Sequence, residues 1–117
     1  DSNVTDAGDL SGTRAWNTGQ SSTTHGYSSG GATPTSSTLS NVIDKFPFAS
    51  DGNATDVADL TVATQDACGT SSKTFGYVAG GEPDMDNIQK FEFANDADAT
   101  NVGNLTRSMN TSAGAQY

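Results

Sequence analysis

The sequence predicts an all-β chain built from four-stranded antiparallel units, and three observations lead there. The decapeptide Asp-Ser-Asn-Val-Thr-Asp-Ala-Gly-Asp-Leu of residues 1–10 returns with small changes at 51–60 and 96–105. His-Gly-Tyr-Ser-Ser-Gly-Gly at residues 25–31 returns as Phe-Gly-Tyr-Val-Ala-Gly-Gly at residues 75–81. Ile-x-Lys-Phe-x-Phe is written at Ile43, Lys45, Phe46 and Phe48, and again at Ile88, Lys90, Phe91 and Phe93. The step from Leu10 to Leu60 is 50 residues and from Leu60 to Leu105 it is 45, periods at which one supersecondary unit is used repeatedly. No segment carries a sustained helical period with caps, so almost no helix is expected.

The strands are placed by turn chemistry. The first covers about residues 14–20, or 65–70 in the second unit, and turns through Ser21-Ser22 or Ser71-Ser72. The second covers 24–29, or 74–79, and ends at Gly30-Gly31 or Gly80-Gly81, where a Cβ-free pair permits positive φ or close backbone contact. The third covers 41–49, or 87–94, with its two Phe residues on one face and Ile and Lys on the other. Apolar groups on both faces predict a sheet covered on both sides. Pro47, which cannot donate to a ladder, predicts an edge or a non-bonded position. An Asp- and Asn-rich turn at 50–53 or 95–98 leads to a fourth strand around 55–61 or 100–106. The spacing from Leu to Gly is held in all three copies: Leu10 to Gly19, Leu60 to Gly69, Leu105 to Gly114. The five-residue difference in step falls after the double Gly, where residues 32–42 stand against 82–87, so a loop of variable length is expected there. By this reading residues 1–50 form a first repeat entered in mid-unit, 51–95 a second and 96–117 a partial third.

Composition alone would favour disorder. The 117 residues are 32% apolar with a mean hydropathy of -0.52, and Val, Ile, Leu and Phe make up roughly a seventh of the chain. The ordered repeats and the aromatics at fixed places argue for a fold. Fourteen acidic residues against five basic ones, a net charge of -9, disfavour nucleic acid and anionic membrane surfaces, both of which select Lys and Arg. This balance suits a saline or extracellular setting. Cys68 is the sole cysteine, which excludes an internal disulfide and a cysteine-based metal site within one chain. No stretch approaches the ~20 apolar residues of a membrane span. The N-terminus carries no basic, apolar signal segment, and the abrupt ends are those expected of a piece of something longer.

Gly-Tyr-x-x-Gly-Gly at Gly26, Tyr27, Gly30 and Gly31, and at Gly76, Tyr77, Gly80 and Gly81, followed by Asp44-Lys45-Phe46 or Gln89-Lys90-Phe91, resembles the kelch repeat of β-propeller blades. The Trp that usually follows the third kelch strand is missing; residues 54–60 stand in its place, and Trp16 has only Asp66 as its match. The wording of residues 43–57, with Ser-Ser-x-Thr-x-Gly-Tyr at 21–27, is similar to kelch-like repeats of marine, cyanobacterium-infecting phage virion proteins. That resemblance implies a tail fibre or other virion surface protein in an extracellular setting. It also implies about two and a half blades where propellers have about four to eight, so ring closure needs a longer chain or a homo-oligomer.

The repeats test each candidate residue against its counterpart. His25 is matched by Phe75 and Cys68 by Thr18 and Ala113, so a packing or surface role is expected for the imidazole and a small buried side chain for the thiol. With one His the chain cannot supply the His and Tyr copper ligands of kelch-like oxidases, and no nucleophile elbow accompanies a Ser-His-Asp set. Asp51, Asn53 and Asp56, with Asp96, Asp98 and Asn101, offer hard oxygens for Ca²⁺, but the twelfth position from Asp51 is Val62 rather than Glu, and turn stabilisation is the favoured reading. Asp9 and Asp59 become Asn104, which suits a hydrogen-bonding role and not acid–base duty. Glycosylation sequons begin at Asn3, Asn53, Asn104 and Asn110, mostly inside the repeated phrase of a Thr- and Asn-rich text. The remaining binding candidates are loop residues Thr33, Thr35, Ser36 and Ser37, and Glu82, Asp84 and Asp86, on one rim. Gly26, Tyr27, Gly30, Gly31, Phe46 and Phe48, with their twins Gly76, Tyr77, Gly80, Gly81, Phe91 and Phe93, are expected to be structural. The expected function is non-enzymatic and without cofactor: a structural or adhesion module binding a host glycan or a neighbouring virion protein. A non-viral secreted carbohydrate-binding propeller, or a non-catalytic segment of an extracellular hydrolase or oxidase, are the alternatives.

Overall fold

In the computed structural model, which describes residues 3–110, the strands are β1 (Thr18–Ser21), β2 (His25–Ser29), β3 (Val42–Pro47), β4 (Thr55–Asp59), β5 (Cys68–Ser71), β6 (Phe75–Ala79), β7 (Asn87–Glu92) and β8 (Thr100–Asn104). Readings that fall on Asp1, Ser112, Ala113 and Gly114 lie outside the described residues. Turn serines make the hairpins: Ser22 Oγ accepts from the N–H groups of Thr24 and His25 at 3.3 and 3.0 Å, and Ser72 Oγ does the same for Thr74 and Phe75 at 3.3 and 3.1 Å. The strands form two four-stranded antiparallel sheets, ordered β1-β2-β3-β4 and β5-β6-β7-β8, and no helix occurs among the described residues. A bulge falls between Ile43 and Asp44 in one sheet and between Ile88 and Gln89 in the other, so the two units share irregularities as well as order.

Two expectations change. The first strand of each unit starts later than predicted. Ala15 makes only an isolated bridge to Ala32, and Gln65 to Glu82, before Trp16 (φ 58°) and Asp66 (φ 54°) turn the backbone left-handed and interrupt the ladder. Trp16 and Asp66 thus share a backbone conformation, not a side-chain role. Pro47, at the end of the inner strand β3 opposite His25, takes the non-bonded position, one of its two expected places, because β4 pairs with β3 only as far as Lys45. Finally, each sheet is covered by the other on one face only.

The double glycines sit where three backbone segments converge. Gly30 and Gly31 have φ of 66° and 97°, Gly80 and Gly81 of 66° and 104°. A Cβ on Gly31 would lie 2.7 Å from Ala15 O, and one on Gly30 2.5 Å from Thr64 O. Thr64 O in turn accepts from Gly31 N at 2.8 Å. Positive φ and close approach both apply, so no residue with a side chain fits this corner. The segment that leaves β4 therefore folds back across its own unit before entering the next sheet.

The core lies between the sheets: Tyr27, Ile43, Ala58 and Leu60 from one side meet Val78, Phe91, Phe93 and Ala99 from the other. Tyr27 stacks on Phe93 at 4.7 Å between ring centroids and tilts against Phe91 at 5.5 Å. Gly76 pairs with Phe91 across the strands, and a Cβ there would stand 2.3 Å from Phe91 Cζ. Gly76→Ala is expected to lower stability by about 1–3 kcal/mol through overpacking of this buried ring. Gly103→Ala, with open space around the added methyl, is expected to stay within about 0.5 kcal/mol. Denaturant midpoints of the two variants measure the contrast.

Candidate functional site

The loop after the first double Gly is a closed polar turn. Thr33 N donates to Thr38 O at 3.0 Å and Ser37 N to Thr33 O at 2.8 Å. The hydroxyls of Thr33, Ser36 and Thr38 form a chain, with Ser36 Oγ 3.0 Å from Thr38 Oγ1. Thr35, Ser36 and Ser37 are exposed, and Ser37 takes a left-handed φ of 51°. The matching loop is shorter and acidic. Glu82 accepts from Gln65 Nε2 at 2.8 Å and Asp86 from Asn104 Nδ2 at 3.0 Å, which leaves Asp84 as the exposed carboxylate of the three. The structure thus separates the acidic candidates: two are tied to neighbouring segments and one faces solvent.

Concave surface lies at the opposite end of the sheets. A groove of about 280 Å³ between them is lined by Thr24, His25, Lys45, Lys73, Glu92 and Phe93, among others. His25 is half-buried, with Nδ1 2.9 Å from Thr24 Oγ1. Lys45 Nζ meets Asp96 Oδ1 at 2.7 Å across the groove wall. Burial raises the Tyr27 phenol above its ordinary value, Lys45 opposing this and Asp96 adding to it. Sequence reasoning had no signal for this groove, because its lining comes from residues as far apart as Ser22 and Ala94. Cys68 is half-buried rather than buried, on the outer face of β5.

The calcium candidates serve as strand-end acceptors. Asn53 Oδ1 accepts from Asp9 N at 3.0 Å, and Asp98 Oδ1 from Asp59 N at the same distance. Asp96 pairs with Lys45, and Asp51 is exposed. Among the described residues no three His, Cys, Asp or Glu side chains gather as a metal-holding group. Asp56 stands directly opposite Asp44 across β3 and β4, and its carboxyl is pushed up from its ordinary value by lost hydration first, then by Asp59 and Asp44, against Arg14.

The residue pair that sequence reasoning missed is Arg14 with Asp44. Arg14 Nη2 bonds Asp44 Oδ2, and their side chains are 4% and 0% exposed. Asp44 Oδ2 also accepts from Ser11 N at 3.1 Å. In the second unit Thr64 and Gln89 take these places, and Gln89 Oε1 accepts from Thr61 Oγ1 at 2.8 Å and Val62 N at 3.3 Å. Both units thus use a buried acceptor on their third strand to catch the incoming segment, one charged and one neutral. The signal was in the repeat: both members of the pair change together.

No protein-family model matches the chain, and no match is found among curated proteins.

Two outcomes follow for stability. Arg14→Ala strands a buried carboxylate and is expected to cost about 3–5 kcal/mol, whereas Arg14→Thr with Asp44→Gln, which copies the other unit, is expected to stay within about 1 kcal/mol of the parent. Equilibrium unfolding of both variants and of Asp44→Gln alone completes the cycle. For Asp56, the folded chain holds the proton more tightly than the unfolded chain, so its contribution is present below the ordinary carboxyl range and lost as pH rises through the raised value. Asp56→Asn is therefore expected to raise the thermal midpoint at pH 7 relative to the parent, and to give no gain at about pH 3.

Proposed function

We propose that this chain is a run of kelch-like β-propeller blades serving as a structural or adhesion module on a phage virion, in a tail fibre or another surface protein. The observation that carries this reading is the construction of one four-stranded sheet twice, with the same bulge, the same double-Gly corner and the same turn serines. Such a scaffold holds constant what lies beneath the loops and varies what projects from them. The recurring polar residues make turns and joints, and the virion setting rests on the resemblance of residues 43–57 to phage repeats. The loops after the double Gly are the contact surface, with exposed hydroxyls at Thr35, Ser36 and Ser37 and a carboxylate at Asp84. This chemistry suits the hydroxyls of a host-surface glycan or the polar backbone of a neighbouring virion protein.

Glycan-array binding tests the reading. Loss of a retained glycan on deleting residues 34–38, with the unfolding midpoint unchanged, supports it. Retention in that variant and in Asp84→Asn, with loss in Lys73→Ala, would move recognition to the groove between the sheets and overturn the loop assignment.

A further inference from the structure

The two sheets meet through unlike faces. Sheet β1–β4 offers Tyr27, Ile43 and Lys45, and sheet β5–β8 offers Gly69, Phe91, Phe93 and Asp96. Because the units are copies, each sheet also carries on its outer side the half of this joint that its twin uses inside. On the outer face of β5–β8, Tyr77, Ile88 and Lys90 stand half-buried at the positions of Tyr27, Ile43 and Lys45. On the outer face of β1–β4, Gly19, Phe46, Phe48 and Asp51 stand at the positions of Gly69, Phe91, Phe93 and Asp96. Phe48 is 56% exposed where Phe93 is 9% exposed. A hollow of about 430 Å³ lies at the β1 edge of that face, lined by Gly19, Gly26, Phe46 and Phe48 and also by Tyr27 and residues 69–71 of the second sheet.

One part of that face is already filled by the chain itself. Ala54 N donates to Asp9 O at 2.8 Å and Asp9 N to Asn53 Oδ1 at 3.0 Å. In the internal joint Ala99 N donates to Asp59 O at 2.8 Å and Asp59 N to Asp98 Oδ1 at 3.0 Å. Residues 7–10 therefore sit on the first sheet as residues 57–60 sit on the second. By the same mapping, residues 102–105 of an adjoining copy would take that seat.

We propose that the outer faces form a head-to-tail joint between copies of this chain. Tyr77 and Lys90 of one copy meet Phe46, Phe48 and Asp51 of the next, and the end of β8 replaces residues 7–10 of the receiving copy. The N-terminal segment is thus an internal competitor that limits self-association. The occupant is a second copy because it alone is shown to carry the matching face, continuous in design with a joint the molecule already makes. The inference stands on that joint and not on the adhesion reading, so a negative glycan array leaves it untouched. A heterologous contact of this kind builds rings or filaments, not a two-fold dimer.

Sedimentation of the full chain over about 1 µM to 1 mM tests it. Removing residues 1–10 is expected to tighten association by at least about tenfold, since a tethered competitor acts at roughly millimolar effective concentration. Tyr77→Ala is expected to weaken it by about tenfold or more. Lys90→Glu and Asp51→Lys, each on a solvent-facing surface, test the same joint without shortening the chain. Each alone weakens association. Mixed, the Lys90→Glu face of one variant meets the Asp51→Lys face of the other while the unchanged Lys90 and Asp51 faces meet at the next joint, so growth beyond the dimer returns, as it does when both changes are in one chain. A truncated chain that stays folded and monomeric at the highest concentration overturns the proposal. So does a mixture of the charge variants that associates no better than either alone.

Discussion

Tyr27 between Phe91 and Phe93 is the contact on which the rest of this structure depends. A chain with 32% apolar residues cannot fill a conventional core, so its few large side chains must meet in one place. That need governs the small residues around it. Gly76 clears the space that the Phe91 ring occupies. Gly69 lets the inner strands approach so closely that a Cβ there would stand 2.6 Å from Gly19 O. Glycine would ordinarily weaken a strand, but here it allows an aromatic to lie over the neighbouring backbone. Fully burying each large side chain contributes about 1.5–3 kcal/mol, and a glycine in a strand costs about 0.5–1 kcal/mol, so the exchange favours the fold.

Around this apolar centre the sheets are fastened by polar groups whose identity varies while their placement does not. Asp44 and Gln89 both present a buried oxygen to the segment that enters their unit, at Ser11 and at Thr61. The carboxylate needs Arg14 beside it, since an unpaired buried charge is strongly unfavourable, whereas the amide needs no ion. Asn53 and Asp98 are interchangeable for the same reason: each receives one N–H, a task that asks for an oxygen and not for a charge. Substitution between repeats thus separates residues that hold geometry from residues that hold charge.

The periodic features were legible in the sequence. Strand order, the turn serines and the double-Gly corner follow from local spacing and from comparison of one unit with the other. What covers each face was not legible. Alternation along β3 shows that Ile43 and Phe46 point to opposite sides, but Tyr27 and Phe93 are 66 residues apart and no local pattern joins them. The unequal loops were found by length, while the bonds tying Glu82 to Gln65 and Asp86 to Asn104 depend on strand pairing at the corner. Strand starts were misplaced because left-handed Trp16 and Asp66 are residue types that do not advertise positive φ equally: Asp does, Trp does not.

A joint with two different sides has a structural consequence that a symmetric one lacks. Units joined this way leave one side of each kind uncovered at the ends of the run, so apolar surface such as Phe48 is exposed by the architecture and not by accident. The charge of -9 works against indiscriminate contact between such surfaces. Against that acidic background Lys45, set opposite Asp96, selects one register by making its own alignment attractive while most others bring carboxylates together. Lys90 occupies the corresponding position on the free face, where its ammonium lies 4.5 Å over the Phe75 ring. A cation kept over an aromatic at an uncovered face masks apolar surface in the lone chain and remains available to a matching carboxylate, so one residue serves both the solubility of the free face and the selectivity of its pairing.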